Sequence, residues 1–118
     1  MNLVKSQFAS GPSGMELDIF TGILFNNHYY WFLFDTGNIA RTKISDNTAK
    51  EWGINPKNES DSTGIEEFTF VIAGDSISAP TMVDNIIYDG ALSFDFIQQS
   101  EFTISFEDEK IWKNSSQQ

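Results

Sequence analysis

Asp35-Thr36-Gly37 closes a run of large apolar residues, Tyr29-Tyr30-Trp31-Phe32-Leu33-Phe34. A carboxylate in that position is not an ordinary solvated charge. A strand so apolar reads as buried on both faces. It delivers Asp35 to the middle of the molecule, where an ionised group is costly unless it is hydrogen-bonded or put to use. Thr36 can hydrogen-bond the backbone nearby, and Gly37 permits a tight turn that exposes the carboxylate.

The remaining residues narrow the chemistry. The single histidine, His28, excludes a multi-histidine metal site and removes most Ser/His and Cys/His nucleophile schemes. His28 itself reads as a solvated turn residue. With no cysteine there is no disulfide and no thiolate metal site, and no cofactor is expected. Asp95 reads as a hydrogen-bond acceptor at a helix end, Asp18 as an outer-face residue, and Glu107-Asp108-Glu109 as a charged turn. Asn58-Glu59-Ser60 and Asn114-Ser115-Ser116 match the glycosylation triplet, which is frequent by chance. A net charge of −10 argues against nucleic acid and anionic membrane surfaces as partners and fits a solubilising exterior. No apolar run approaches the ~20 residues of a membrane helix, so no membrane insertion is expected. The segment Met1 to Phe8 holds one basic residue and no apolar core, unlike a signal peptide.

The elements that must position Asp35 are legible from periodicity. At 118 residues the chain reads as one domain, expected over 1–113 with a disordered polar tail at 114–118. Residues 2–8 alternate weakly, as an edge strand does, and 10–14 read as a loop. Residues 15–25 alternate as a half-buried strand, Asn26-Asn27-His28 as a hairpin turn, and 29–34 as the central strand. After the Asp35 loop, Ile39, Arg41 and Lys43 alternate with Ala40, Thr42 and Ile44. Ser45 is a good N-cap and Gly53 a good stop for a helix of about two turns. Residues 55–66 are polar and loop-like. Phe68, Phe70 and Ile72 alternate, Gly74-Asp75 reads as a hairpin turn, and 76–88 as one or two strands interrupted by Pro80. Residues 92–99 form a short helix, and Phe102, Ile104 and Phe106 a last half-buried strand before the turn at 107–110. Many short strands with two short helices predict a mostly β, closed antiparallel β-barrel.

Four segments together resemble the retropepsin-like aspartic peptidases, the single-domain family. They are Asp35-Thr36-Gly37, the preceding hairpin from Gly22, the helix segment Ser45 to Ile54, and Asp89-Gly90-Ala91-Leu92-Ser93-Phe94-Asp95-Phe96-Ile97. Their order and spacing agree over residues 2–113. The resemblance implies an acid-protease barrel and an aspartic endopeptidase with Asp35, Thr36 and Gly37 as catalytic residues. It places Asn38, Gly64, Ile65, Ala91 and Leu92 at a substrate groove. Because the chain holds one Asp-Thr-Gly, the resemblance also implies a twofold homodimer that joins two Asp35 carboxylates, with a peptide or protein as substrate. Viral members carry an Asp–Arg pair that is absent here, as it is in many cellular members. Asn38 stands where a small residue is usual and Ser93 where glycine is usual. Two other readings therefore stand beside the enzyme: a barrel that keeps the groove for binding without catalysis, and one half of a two-lobed protein.

Overall fold

The computed structural model describes residues 2–10, 17–37, 41–54 and 65–114. Along the chain these form β1 (Asn2–Val4), β2 (Ser6–Ser10), β3 (Leu17–Phe25), β4 (His28–Phe34), β5 (Thr42–Ser45) and α1 (Asp46–Glu51). They continue with β6 (Ile65–Ile72), β7 (Asp75–Asp84), β8 (Gly90–Leu92), α2 (Phe94–Gln99), β9 (Phe102–Ser105) and β10 (Lys110–Lys113). The larger sheet runs β2-β3-β4-β8-β5-β7-β6, and a pairing of Leu24 with Val71 joins β3 to β6. That contact closes six strands, β3 to β6 in that order, into a barrel. Two of its pairings, β4–β8 and β5–β7, are parallel, so the barrel is mixed where the alternation alone predicts an antiparallel one.

Local chemistry explains most of the boundaries. Phe25 pairs with His28, so His28 opens β4 and is not part of the expected three-residue turn, leaving Asn26 and Asn27 as a two-residue loop with φ of 50° and 65°. Asparagine tolerates this left-handed region, and such turns match the twist of the flanking strands. The β6–β7 loop is built the same way, on Ala73 (φ 51°) and Gly74 (φ 84°), one residue earlier than the Gly74-Asp75 turn predicted. Ser45 caps α1 by accepting from the Thr48 backbone N–H at 3.1 Å, and Gly53 follows the helix end with φ +75°. Ser93 caps α2 by accepting from the Phe96 N–H at 3.3 Å. Helices this short do not stand alone. α1 is held by Trp52, which stacks on Phe25 (4.7 Å), Phe68 (5.4 Å) and Phe32 (5.9 Å) and meets Tyr30 edge-on at 5.2 Å. Phe70 links that cluster to Phe96 of α2 at 5.6 Å. Phe32, Leu92 and Phe96 share the buried core, and Phe34 packs against it.

Several expectations need correction. Residues 2–8 are not one edge strand: the strand breaks at Lys5, β1 pairing with β10 in one sheet and β2 with β3 in the other. β4 is not buried on both faces: Phe32 is fully buried, but Tyr29 is 45% exposed and Trp31, Leu33 and Phe34 are half-buried. β7 runs unbroken through Pro80, because there it pairs with β6 alone and β5 joins only at Thr81. That is the edge-like place where a strand tolerates a residue without an N–H. Phe106 lies beyond β9, is 61% exposed, and leans edge-on against Phe8. The loop expected at 10–14 starts a residue later, because Ser10 ends β2, and the one expected at 55–66 stops short, because β6 opens at Ile65. Residues 11–14, 55–64 and 115–118 lie outside the described residues.

A second sheet, β1-β10-β9, brings the two ends of the chain together. It is pinned to the β6–β7 hairpin by Asn2 Nδ2, which donates to the Ala73 carbonyl at 3.3 Å, and by Lys113. The Lys113 side chain is 3% exposed and its Nζ lies 2.9 Å from Asp75 Oδ2. An ammonium so buried is tolerable only because a carboxylate and the Asn114 carbonyl receive it.

Candidate active site

Alternation along β4 decides what reaches the site. Phe32 and Phe34 turn toward the core, so Leu33 and Asp35, offset by one, turn the other way. In the next strands Ala91 of β8 lies in register with Leu33, and Lys43 of β5 in register with Ala91. Leu33, Ala91 and Lys43 thus form one row, and together with Asp35 they line a cleft of about 280 Å³. Asn85, Ile86, Ile87 and Tyr88, from the segment that joins β7 to β8, line its other side. Ile87 is 91% exposed, so a large apolar side chain stands free at this cleft. Tyr88 is steadied by the ring of Phe20 at 5.5 Å.

Asp35 is half-buried, and its backbone N–H donates to the Leu92 carbonyl at 3.2 Å. This bond continues the parallel β4–β8 ladder one residue past the Phe34–Leu92 pair. It fixes the base of the Asp35-Thr36-Gly37 turn, while Thr36 and Gly37 are exposed. Gly37 does not adopt a positive φ, so its backbone does not need glycine. A Cβ there would sit 3.6 Å from Asp35 Oδ1, so the missing side chain leaves the approach to the carboxylate open.

The second signature has a physical role that the spacing alone did not reveal. Asp89 Oδ2 accepts the Trp31 backbone N–H at 2.9 Å, standing in for a strand carbonyl just before β8 begins. The Asp89 carbonyl accepts the Ser45 N–H at 3.0 Å, which ties the helix cap to the same point. Gly90 lies under the Phe32 ring, where an added Cβ would fall 2.2 Å from Cε2. Ser93, buried at 4%, exchanges hydrogen bonds with Thr42: its N–H donates to Thr42 Oγ1 at 3.2 Å, and Thr42 Oγ1 lies 3.3 Å from Ser93 Oγ. It locks α2 to β5 and caps the helix, which accounts for a serine there.

Of the residues predicted for the site, Asp35 and Ala91 meet in the cleft. Leu92 does not, because its side chain is fully buried and its contribution is the carbonyl that holds the Asp35 loop. Ile65 opens β6 opposite Met82, and its side chain lies outside the described residues, as do Asn38 and Gly64. Lys43, Ile87 and Tyr88 were not singled out from sequence. For Lys43 a signal existed: it is offset by one from Thr42 and Ile44, both buried, so it had to face away from the core.

Lys43 Nζ lies 3.2 Å from Asp84 Oδ2, with both side chains partly exposed. Away from the cleft, Tyr30 Oη donates to Glu51 Oε1 at 3.1 Å. Burial, and then that hydrogen bond and the Glu51 charge, push the Tyr30 phenol above its ordinary range. Among the described residues no group of acidic, histidine or cysteine side chains is arranged to hold a metal ion, and no helix is long and apolar enough to cross a membrane.

No protein-family model matches the chain, and no curated protein does. Solved structures match it. The retroviral protease-like domain of Ddi1 from Leishmania major aligns with a TM-score of 0.60 over 81% of this chain and 90% of that one, at 13% identity. A retropepsin-like aspartic protease from Rickettsia conorii aligns with a TM-score of 0.57 over 94% of this chain and 91% of its own, at 15% identity. At such identities the likeness is one of fold.

Proposed function

We propose that this barrel, which has the retropepsin-like fold, is an aspartic-type endopeptidase that works as a homodimer. What carries the reading is the place of Asp35: a half-buried carboxylate at a fixed strand end, lining a cleft, on a loop whose Thr36 and Gly37 are exposed. One chain supplies one such carboxylate, so a second copy related by a twofold axis supplies the other. Two carboxylates that close share one proton. The ionised one takes a proton from water as the water oxygen bonds to the scissile carbonyl carbon; the neutral one gives its proton to the carbonyl oxygen. The resulting diol collapses as the carboxyl that took the water proton gives it to the amide nitrogen, a diol hydroxyl gives its proton to the other carboxylate, and the C–N bond breaks as the C=O re-forms. The substrate is an extended peptide or protein segment held by strand-like backbone hydrogen bonds.

The test is cleavage of a broad peptide library at several pH values below neutrality, with wild type and Asp35→Asn, alongside light scattering. Wild type should cleave as a dimer and lose specific activity on dilution, and Asp35→Asn should be inactive but folded. Cleavage that survives Asp35→Asn, or that persists in a strictly monomeric species, overturns the mechanism. Asn38, bulkier than the residue usual after Asp-Thr-Gly, supports a second reading, a barrel that binds peptide without cutting it. Peptide binding by a dimer with no turnover is the result that would select it.

A further inference from the structure

We propose that Lys43 gives the cleft beside Asp35 a preference for a carboxylate-bearing side chain of the bound peptide. The inference rests on the reading that a peptide crosses Asp35. Lys43 is the one cation among the described residues that line this cleft, whose walls are otherwise mostly apolar. Leu33, Ala91 and Lys43 stand on three adjacent strands, so with about 4.8 Å between strands Lys43 is roughly 10 Å across the sheet from β4. Asp35 lies two residues beyond Leu33, which puts it roughly 12 Å from Lys43 backbone to backbone. An extended peptide rises about 3.3 Å per residue, so where it runs along this row a side chain about three to four residues from the bond held at Asp35 passes over Lys43. At that separation the Asp35 charge acts only weakly on a carboxylate held at Lys43, because physiological salt screens charges over about 8 Å.

Lys43 is free to change partners. Its bond to Asp84 is partly exposed on both sides (30% and 40%), and such pairs contribute little. Asp84 is not orphaned by the exchange, since its Oδ1 also accepts the Asn85 N–H at 2.8 Å. Ala91, the small residue between Leu33 and Lys43, leaves room in the row for a long acidic side chain to reach the ammonium. A substrate glutamate then gains a charge-assisted hydrogen bond flanked by apolar walls. The overall charge of −10 repels acidic peptides at long range, so the preference is a local property of this cleft.

The experiment measures binding apart from turnover. Fluorescein-labelled decapeptides carry Glu, Gln or Lys at one position at a time, and their affinity for the full-length Asp35→Asn protein is read by fluorescence anisotropy. At one position Glu should bind about threefold to fivefold tighter than Gln, the scale of a partly exposed ion pair. Adding Lys43→Met should bring that ratio to about one, and Lys43→Glu should turn it into a preference for Lys. Asp84→Asn, which keeps an acceptor for Asn85 but frees Lys43, should raise the ratio. A ratio near one at every position, or a Glu preference that survives Lys43→Met, overturns the inference. Glu-selective binding without cleavage by wild type leaves it standing and removes the peptidase reading. Cleavage without acidic preference does the reverse, and no peptide binding at all removes both.

Discussion

The two faces of β4 are made of similar residues and meet opposite fates. On one face Phe32 is completely buried, stacked on Trp52 and edge-on to Phe70. On the other, Leu33 and Asp35 are half-buried in a cleft where Ile87 stands 91% exposed. β8 repeats the contrast with consecutive small residues. Gly90 is small because the Phe32 ring fills the space of a Cβ, whereas Ala91 is small where the cleft needs volume. Burial is concentrated on the face closed by Trp52 and Phe70, and the Asp35 face keeps a cleft that Tyr88 borders without filling. An apolar strand is therefore not evidence of burial on both sides. What decides is whether an element such as α1 delivers a ring to cover it.

The sharpest contrast is between Trp52→Ala and Asp35→Asn. Trp52 touches Phe25, Tyr30, Phe32, Phe68 and Phe70, so its truncation should cost about 3–5 kcal/mol in urea unfolding. Asp35→Asn should change stability by less than about 0.5 kcal/mol while removing activity, because the backbone bond to Leu92 remains. If the two substitutions cost the same, the division between a stabilising and a working face is wrong.

Next come the paired small residues. Gly90→Ala should destabilise by about 1–3 kcal/mol, since Phe32 is held between Trp52 and Phe70 and cannot yield to a Cβ. Ala91→Leu, at a cleft-lining position that is only 6% exposed, should cost less stability than Gly90→Ala and weaken peptide binding by filling the cleft. Stability lost at position 91 and not at 90 would reverse the assignment of the faces. Smaller again is Ser93→Ala, which removes the cap of α2 and the bond to Thr42 and should cost about 1 kcal/mol by the same measurement.

Much of this was legible because it is local. Asn26-Asn27 specifies a two-residue hairpin through its tolerance of positive φ, and Ser45 with Gly53 brackets α1 whatever surrounds it. What stayed hidden depends on neighbours far along the chain. Lys43 joins Asp35 only because β8, nearly fifty residues later, lies between β4 and β5. Pro80 sits within a strand because β5 begins one residue later in register. Asp89 carries a strand's hydrogen bond that no spacing rule announces. Asp-Thr-Gly itself is legible in its residues, and the structure adds that Gly37 has no positive φ and that a Cβ there would stand 3.6 Å from Asp35 Oδ1.

The smallest effect belongs to Tyr30, at the edge of the closed side of β4, and it separates desolvation of the phenol from the influence of Glu51. The Tyr30 phenol is pushed upward first by burial, then by its hydrogen bond to Glu51 and the Glu51 charge. A raised phenol means that the folded state favours the protonated form. The associated stabilisation is complete below the ordinary tyrosine value near 10 and is lost as pH rises through the higher folded value. Ultraviolet titration of the phenolates should therefore show a latest step that Tyr30→Phe removes. Urea midpoints should fall more steeply above pH ~10 in wild type than in Tyr30→Phe. Glu51→Gln removes the charge but leaves an acceptor and the desolvation, so it should recover part of the upward shift and not all of it. A full return to the ordinary range in Glu51→Gln would make Glu51, and not desolvation, the cause of the shift.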